Sequence, residues 1–113
     1  MKYITAIIQP HMLHSVIKEL HECKHYPGMT VSNCDGDGRG RGPDGHYTAT
    51  MDSLFLKPRK RIEIYCSDDV CEDLVETIRA ASHTGNSGDG VIAVMDLSRA
   101  LRIHTGQEQD KAL

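Results

Sequence analysis

At 113 residues, with a formal net charge of −3 and 39% hydrophobic side chains, the chain has room for one core in a single domain over 1–113. That charge gives no bulk attraction to nucleic acid or to an anionic membrane, so any phosphate it binds must be held locally. No apolar run approaches the roughly 20 residues that cross a bilayer, and Met1 to Ile8 lacks a signal-peptide core. The four cysteines form no Cys-x-x-Cys pair, so the expectation is a cytoplasmic protein, not membrane-embedded, with reduced, inert thiols.

Tyr3-Ile4-Thr5-Ala6-Ile7-Ile8 is a branched apolar run that reads as a buried strand, stopped by Gln9-Pro10. Pro10 suits the first turn of a helix, where no N–H is needed. Leu13, Val16, Ile17 and Leu20 follow at helical spacing and predict an amphipathic helix to about Cys23 or His25, closed by Pro27-Gly28. Met29-Thr30-Val31-Ser32-Asn33-Cys34 predicts a second strand.

Composition then changes abruptly. Half of the chain's ten glycines fall between Asp35 and about Ser53, with few apolar residues, so this segment cannot bury much and reads as a long loop. Leu54 to Lys57 prepare a third strand, Lys60 to Cys66, in which Ile62, Ile64 and Cys66 alternate with charged or polar neighbours. The loop thus spans about 35–57. Ser67 supplies a helix N-cap with Asp68 and Asp69 in the first turn, and Val70, Leu74, Val75 and Ile78 mark the core stripe of a second helix. Thr84-Gly85-Asn86-Ser87-Gly88-Asp89-Gly90 is a glycine-rich loop leading into a fourth strand, Val91 to Met95.

The order strand, helix, strand, strand, helix, strand is the βαββαβ arrangement of the ferredoxin-like α+β class, with both helices on one face of an antiparallel sheet. The other face also carries apolar residues and needs cover, which self-association supplies. Glycines at the density of Gly88 to Gly90 let backbone N–H groups converge on an anion. A second glycine-rich segment, Gly36 to Gly42 with Arg39 and Arg41, and a basic element from Arg99 to His104 raise the prospect of a polyphosphate held by three elements. No Walker lysine, nucleophile elbow or metal-hydrolase motif is present, so a non-enzymatic protein is expected.

Several pieces together resemble the PII signal-transduction family: Ile4 to Pro10, Gly28-Met29-Thr30-Val31, Gly36-x-Gly38-Arg39, Ile62-Glu63-Ile64, Thr84-x-x-x-Gly88-Asp89-Gly90 and Arg102-Ile103-x-Thr105-Gly106. The resemblance runs along essentially the whole chain. It implies a homotrimer that binds ATP, ADP or AMP in clefts between subunits. It also implies a long loop, the family's T-loop, that reaches a partner transporter or enzyme and regulates it. The implied nucleotide site comprises Thr30, Gly36, Asp37, Gly38, Arg39, Arg59, Ile64, Gly88, Asp89, Gly90, Val91, Arg102 and His104, with Ile64 beside the adenine and Arg102 reaching phosphate from the neighbouring chain.

The departures from that pattern have consequences. Gly40 replaces the family's glutamine that helps hold Mg and 2-oxoglutarate, Val91 replaces a lysine, and His104 replaces the second arginine of an Arg-x-Arg motif. Each lost cation removes a charge-assisted contact of about 1–3 kcal/mol, so weaker ATP binding than the family norm, or a preference for ADP or AMP, is expected. The family's modified loop tyrosine is also missing; Asp52 stands at that position. These changes suggest a branch attached to a different transport process.

A further feature is histidine. Of seven in the chain, His11, His14, His21 and His25 fall on one stripe of the first helix, about 130° from its apolar face. The stripe reads either as an ordinary solvated surface or as a ligand set for a transition metal, with Cys23 and His46 as further ligands, and this metal-responsive trimer is the alternative function.

Overall fold

The branched N-terminal run forms β1 (Lys2–Ile8) at the centre of the fold. In the computed structural model, which describes residues 1–37 and 56–113, β1 is followed by a 3₁₀ turn (Pro10–Met12) and α1 (Leu13–His21). Then come β2 (Thr30–Gly36), β3 (Lys57–Cys66), α2 (Asp68–Ser82), β4 (Gly90–Asp96) and a C-terminal 3₁₀ turn (Gln109–Ala112). The sheet order is β2-β3-β1-β4 with every neighbouring pair antiparallel, which is the ferredoxin-like βαββαβ topology expected from the element order.

Alternation along the strands sorts the two faces. Ile4, Ala6 and Ile8 of β1 and Ile62, Ile64 and Cys66 of β3 are buried under the helices, and at roughly 1.5–3 kcal/mol per large apolar side chain they dominate the stability. From α1 come Val16 and Leu20, and from α2 Cys71, Leu74 and Ile78. The helices touch each other where the Cys23 thiol meets the Thr77 hydroxyl at 3.2 Å. The opposite face carries Tyr3, Ile7, Tyr65, Val91 and Met95 and has no layer over it among the described residues; Tyr3 and Tyr65 lie side by side with ring centroids 5.5 Å apart.

Several boundaries differ from the sequence expectation, each for a local reason. The third strand begins at Lys57, not Lys60, and the second runs on to Gly36, so Gly36 pairs with Lys57 and both ends of the expected 35–57 loop are sheet. Pro58 is tolerated there because β1 pairs with β3 only from Lys60 onward, so its missing N–H removes no ladder bond to β1. The first helix ends at His21 rather than near His25: the Glu22 and Cys23 amides bond back to Glu19 and Leu20, and His25 takes a left-handed φ of 62°. Ile17 is half-buried, while Cys71, absent from the expected stripe of the second helix, belongs to the core. Ser67 does occupy the N-cap of α2, but its hydroxyl donates to Asp69 Oδ1 at 2.5 Å and not to a helix amide. Asp68 receives the chain's amino group at 2.7 Å, tying the start of β1 to the first turn of α2.

Burial first, and the adjacent Cys71 second, push the Cys66 thiol up to about 12. A thiol held protonated is a poor nucleophile. Iodoacetamide at pH 8 is therefore expected to label half-buried Cys34 while sparing Cys66 until the protein unfolds, read by peptide mass; labelling of Cys66 at the Cys34 rate under native conditions would show that the β3–α2 seam opens readily.

Candidate functional site

At one end of the sheet β1 stops, β2 stops, β3 starts and β4 starts, so four chain segments meet. Three of the expected site residues come together here. A Cβ added to Gly36 would sit 3.5 Å from Arg59 Cγ, and one added to Gly88 would sit 3.9 Å from Arg59 Nη2 and 3.3 Å from Gln9 Nε2. Arg59 spends one N–H on the Pro58 carbonyl at 2.8 Å and makes no ion pair among the described residues, which leaves guanidinium donors for an anion. Asp37 follows Gly36 directly; Gly38 and Arg39 lie outside the described residues, as do Gly40, His46 and Asp52.

The loop from Thr84 to Gly90 is held by Asp89. Its carboxylate accepts from the Thr84 amide at 2.8 Å, the Gly85 amide at 3.1 Å and the Thr84 hydroxyl. The Thr84 hydroxyl, then the Thr84 amide, hold the Asp89 carboxyl below the usual carboxylate range. Asp89 is therefore a staple that shapes the glycine loop. Gly90 is required for a different reason: its φ is +114°, and a Cβ there would lie 1.8 Å from the Ile7 carbonyl oxygen. Val91, 62% exposed, continues the open apolar face beside Ile7 and offers no donor from its side chain.

The remaining expected residues lie elsewhere. Thr30, Arg102 and His104 line a groove of about 890 Å³ whose other walls include Glu63, Tyr65 and Ala112. Arg102 sits on a tight turn closed by its amide on the Gln107 carbonyl and the Gly106 amide on its own carbonyl, each at 2.8 Å. Its side chain has no hydrogen bond or ion pair among the described residues, whereas Arg99 is paired with Glu108. Ile64 lies in neither place: its side chain is core, 1% exposed. Thr30 and Gly36 are the two ends of one strand, and six rises of about 3.3 Å separate them by about 20 Å. The expected site residues thus fall in two separate places on one copy of the chain.

The histidine stripe does not assemble. His11 lies in the 3₁₀ turn, His25 beyond the end of α1, and the His21 ring packs on Tyr26 with centroids 5.0 Å apart. Among the described residues no group of three His, Cys, Asp or Glu side chains is placed to hold a metal ion. Two residues that sequence reasoning did not place at the site stand at these two places. Gln9, read only as a strand stop, donates its side-chain amide to the Gly88 carbonyl at 2.6 Å. Glu63, half-buried, accepts from the Tyr3 hydroxyl at 2.8 Å; the alternation of Ile62 and Ile64 already put it on the open face.

Comparison with known proteins adds a consistent finding. Residues 1–107 match the family model described as nitrogen regulatory protein P-II. Over 113 residues, covering all of both chains, the sequence is 40% identical to the nitrogen regulatory protein P-II of Klebsiella oxytoca and 40% identical to nitrogen regulatory protein P-II 1 of Escherichia coli K12. It is 34% identical, also over the full length of both, to the nitrogen regulatory protein GlnK of Escherichia coli K12.

The geometry gives two expectations. Gly90→Ala is expected to destabilise the fold by at least about 2 kcal/mol, combining left-handed strain with displacement of the β1–β4 ladder; denaturant unfolding measures it, and a change under about 0.5 kcal/mol would contradict the close approach to Ile7. The lowered Asp89 pKa means that its contribution is present above the unfolded value of 3.8 and is lost as pH falls through the lower folded value. Exchange of the Thr84 and Gly85 amides, which the carboxylate protects, should accelerate in Asp89→Asn at neutral pH and in the parent protein only below that range.

Proposed function

Since the chain belongs to the nitrogen regulatory protein P-II family, whose members are regulatory signalling proteins and not enzymes, we propose that it is a homotrimeric regulator binding adenine nucleotide between subunits. The observation that carries this reading is the division of the anion-binding groups into two half-sites about 20 Å apart along β2. Arg59 with the Gly36 and Gly88 backbone stands at one half-site and Arg102, without an ion pair among the described residues, at the other. No single phosphate chain spans both within one copy. A second copy that sets its Arg102 turn against the strand-end cluster of the first completes the site.

The open sheet face favours the same assembly. Tyr3, Ile7, Tyr65, Val91 and Met95 form an apolar surface on the side away from the helices, and burying it between copies stabilises at roughly 25 cal/mol per Å². Within the groove, apolar walls with Glu63 as an acceptor suit a flat base that donates an exocyclic amine. Phosphate then lies toward the glycine loop, where Arg59 and backbone amides supply donors. Val91 and His104 stand where two permanent cations would otherwise hold the distal phosphates, so the reading includes a preference for ADP or AMP over ATP. No Mg site is needed for it.

Regulation follows from position. The chain between Gly36 and Lys57 leaves and re-enters the sheet directly beside Arg59 and Gly88, so a bound phosphate touches both the loop base and the glycine loop. A ligand that contacts one loop arrangement better than another shifts their populations by that difference in affinity. Through this segment between Gly36 and Lys57 the protein engages a transporter or enzyme partner, in the nitrogen-regulatory setting that the relatives' names carry.

Titration calorimetry with ATP, ADP and AMP, with and without Mg, is expected to show saturable binding at one site per chain, on a particle that light scattering gives as three chains. Arg102→Ala should lower the affinity about 10- to 100-fold, the loss of one charge-assisted phosphate contact. Unchanged affinity in that variant would place the site elsewhere, and absence of binding to all three nucleotides would overturn the reading.

A further inference from the structure

We infer that Gln9 is a positioning residue for the phosphate half-site: its side-chain amide fixes and neutralises the Gly88 carbonyl, so that the glycine loop presents donors and not an oxygen to an incoming phosphate. This rests on the nucleotide reading above and concerns how that site gains its preference for phosphate. Gln9 Nε2 donates to Gly88 O at 2.6 Å, and the same nitrogen would be 3.3 Å from a Gly88 Cβ, so the amide lies directly over this glycine. Arg59 Nη2, 3.9 Å from that same point, shares the spot.

The placement of Gln9 is itself fixed by its backbone. It directly follows β1 as the N-cap of the 3₁₀ turn, its carbonyl accepts from the Met12 amide at 3.0 Å to close that turn, and Pro10 restricts it to an extended conformation, φ −65° and ψ 138°. The side chain is thus delivered from a rigid strand end to a loop whose other support is the Asp89 staple. Gly88 has a φ of +91°, and a glycine peptide is otherwise free to rotate its carbonyl outward. A carbonyl oxygen turned toward phosphate repels it, whereas one saturated by a neutral donor does not, and the guanidinium of Arg59 stays available. A primary amide does this without adding a charge, which suits a site that selects by donor geometry more than by cation count.

The test uses the intact protein with Gln9→Glu, Gln9→Ala and Gln9→Lys. At neutral pH a carboxylate cannot donate to Gly88 O and draws Arg59 into an ion pair. Gln9→Glu is therefore expected to weaken ADP about tenfold or more and to change adenosine less than about threefold. Gln9→Lys, which retains a donor, should restore ADP affinity, and Gln9→Ala should fall between. A second readout needs no ligand: the carbonyl carbon of Gly88 should shift upfield in NMR spectra of Gln9→Glu and Gln9→Ala, and return toward the parent value in Gln9→Lys. Equal weakening of ADP and adenosine, or a Gly88 carbonyl that ignores all three substitutions, would overturn the assignment. If the parent protein bound no nucleotide, the nucleotide reading would fall with it, and the carbonyl shift would still report whether Gln9 orients the loop.

Discussion

Pairing of β1 on both of its edges is the constraint on which the rest of the structure depends. From Lys2 to Ile8 every residue is in register with β3 on one side and β4 on the other. The end of β1 therefore fixes where β3 narrows to a two-stranded ribbon with β2, and where the glycine loop must enter β4. Gly90 opposite Ile8 is the tightest point of this arrangement, since its Cα position leaves no room for a Cβ beside the Ile7 carbonyl. A seven-residue strand thus sets the relative positions of Gly36, Arg59 and Gly88, which come from three separate parts of the chain.

The same alternation that buries Ile4, Ala6 and Ile8 under the helices leaves Tyr3 and Ile7 on an uncovered face. Among the described residues no third layer covers it. Its C-terminal residues form a turn and a short 3₁₀ segment at the side, with Ile103 98% exposed. In the proposed assembly one physical shortage answers two needs: the copy that covers the apolar face also brings the Arg102 turn to a half-site that lacks it. Ligand binding and subunit contact are then coupled energetically, because phosphate bridges groups from both copies.

Much of the fold was legible because its signals were local. Branched alternation gave β1 and the core half of β3, helical spacing gave both helices, and element order gave the topology. The start of β3 was hidden because Lys57-Pro58-Arg59 has no apolar member and a proline; only its pairing with β2 makes it a strand. The end of α1 was hidden because the Glu22 and Cys23 amides turn back onto Glu19 and Leu20 and His25 takes a left-handed φ, none of which spacing announces; the histidine stripe assumed one unbroken helix, whereas His11 lies in the 3₁₀ turn and His25 beyond α1. At the candidate site the glycines and arginines were visible as types. Their division into two places about 20 Å apart follows from the length of β2; the role of Asp89 follows from its hydrogen bonds to Thr84 and Gly85 inside its own loop, and that of Gln9 from a contact with a segment distant in sequence.

Charge at the strand end is divided between permanent cations and neutral groups. Arg59 lies by Gly88 and Lys57 pairs with Gly36, while Asp89 of the glycine loop is turned onto the Thr84 and Gly85 amides. Gln9, a neutral side chain, holds the Gly88 carbonyl. Neutral donors discriminate by geometry and are only weakly screened, while permanent cations reward every added phosphate charge and lose strength with salt. A site that adds oriented neutral donors to its cations separates nucleotides by where their phosphates sit as well as by how many they carry. In the regulator proposed above, a phosphate beside Gly36 and Gly88 would act on the chain at the point where it leaves β2 and re-enters β3.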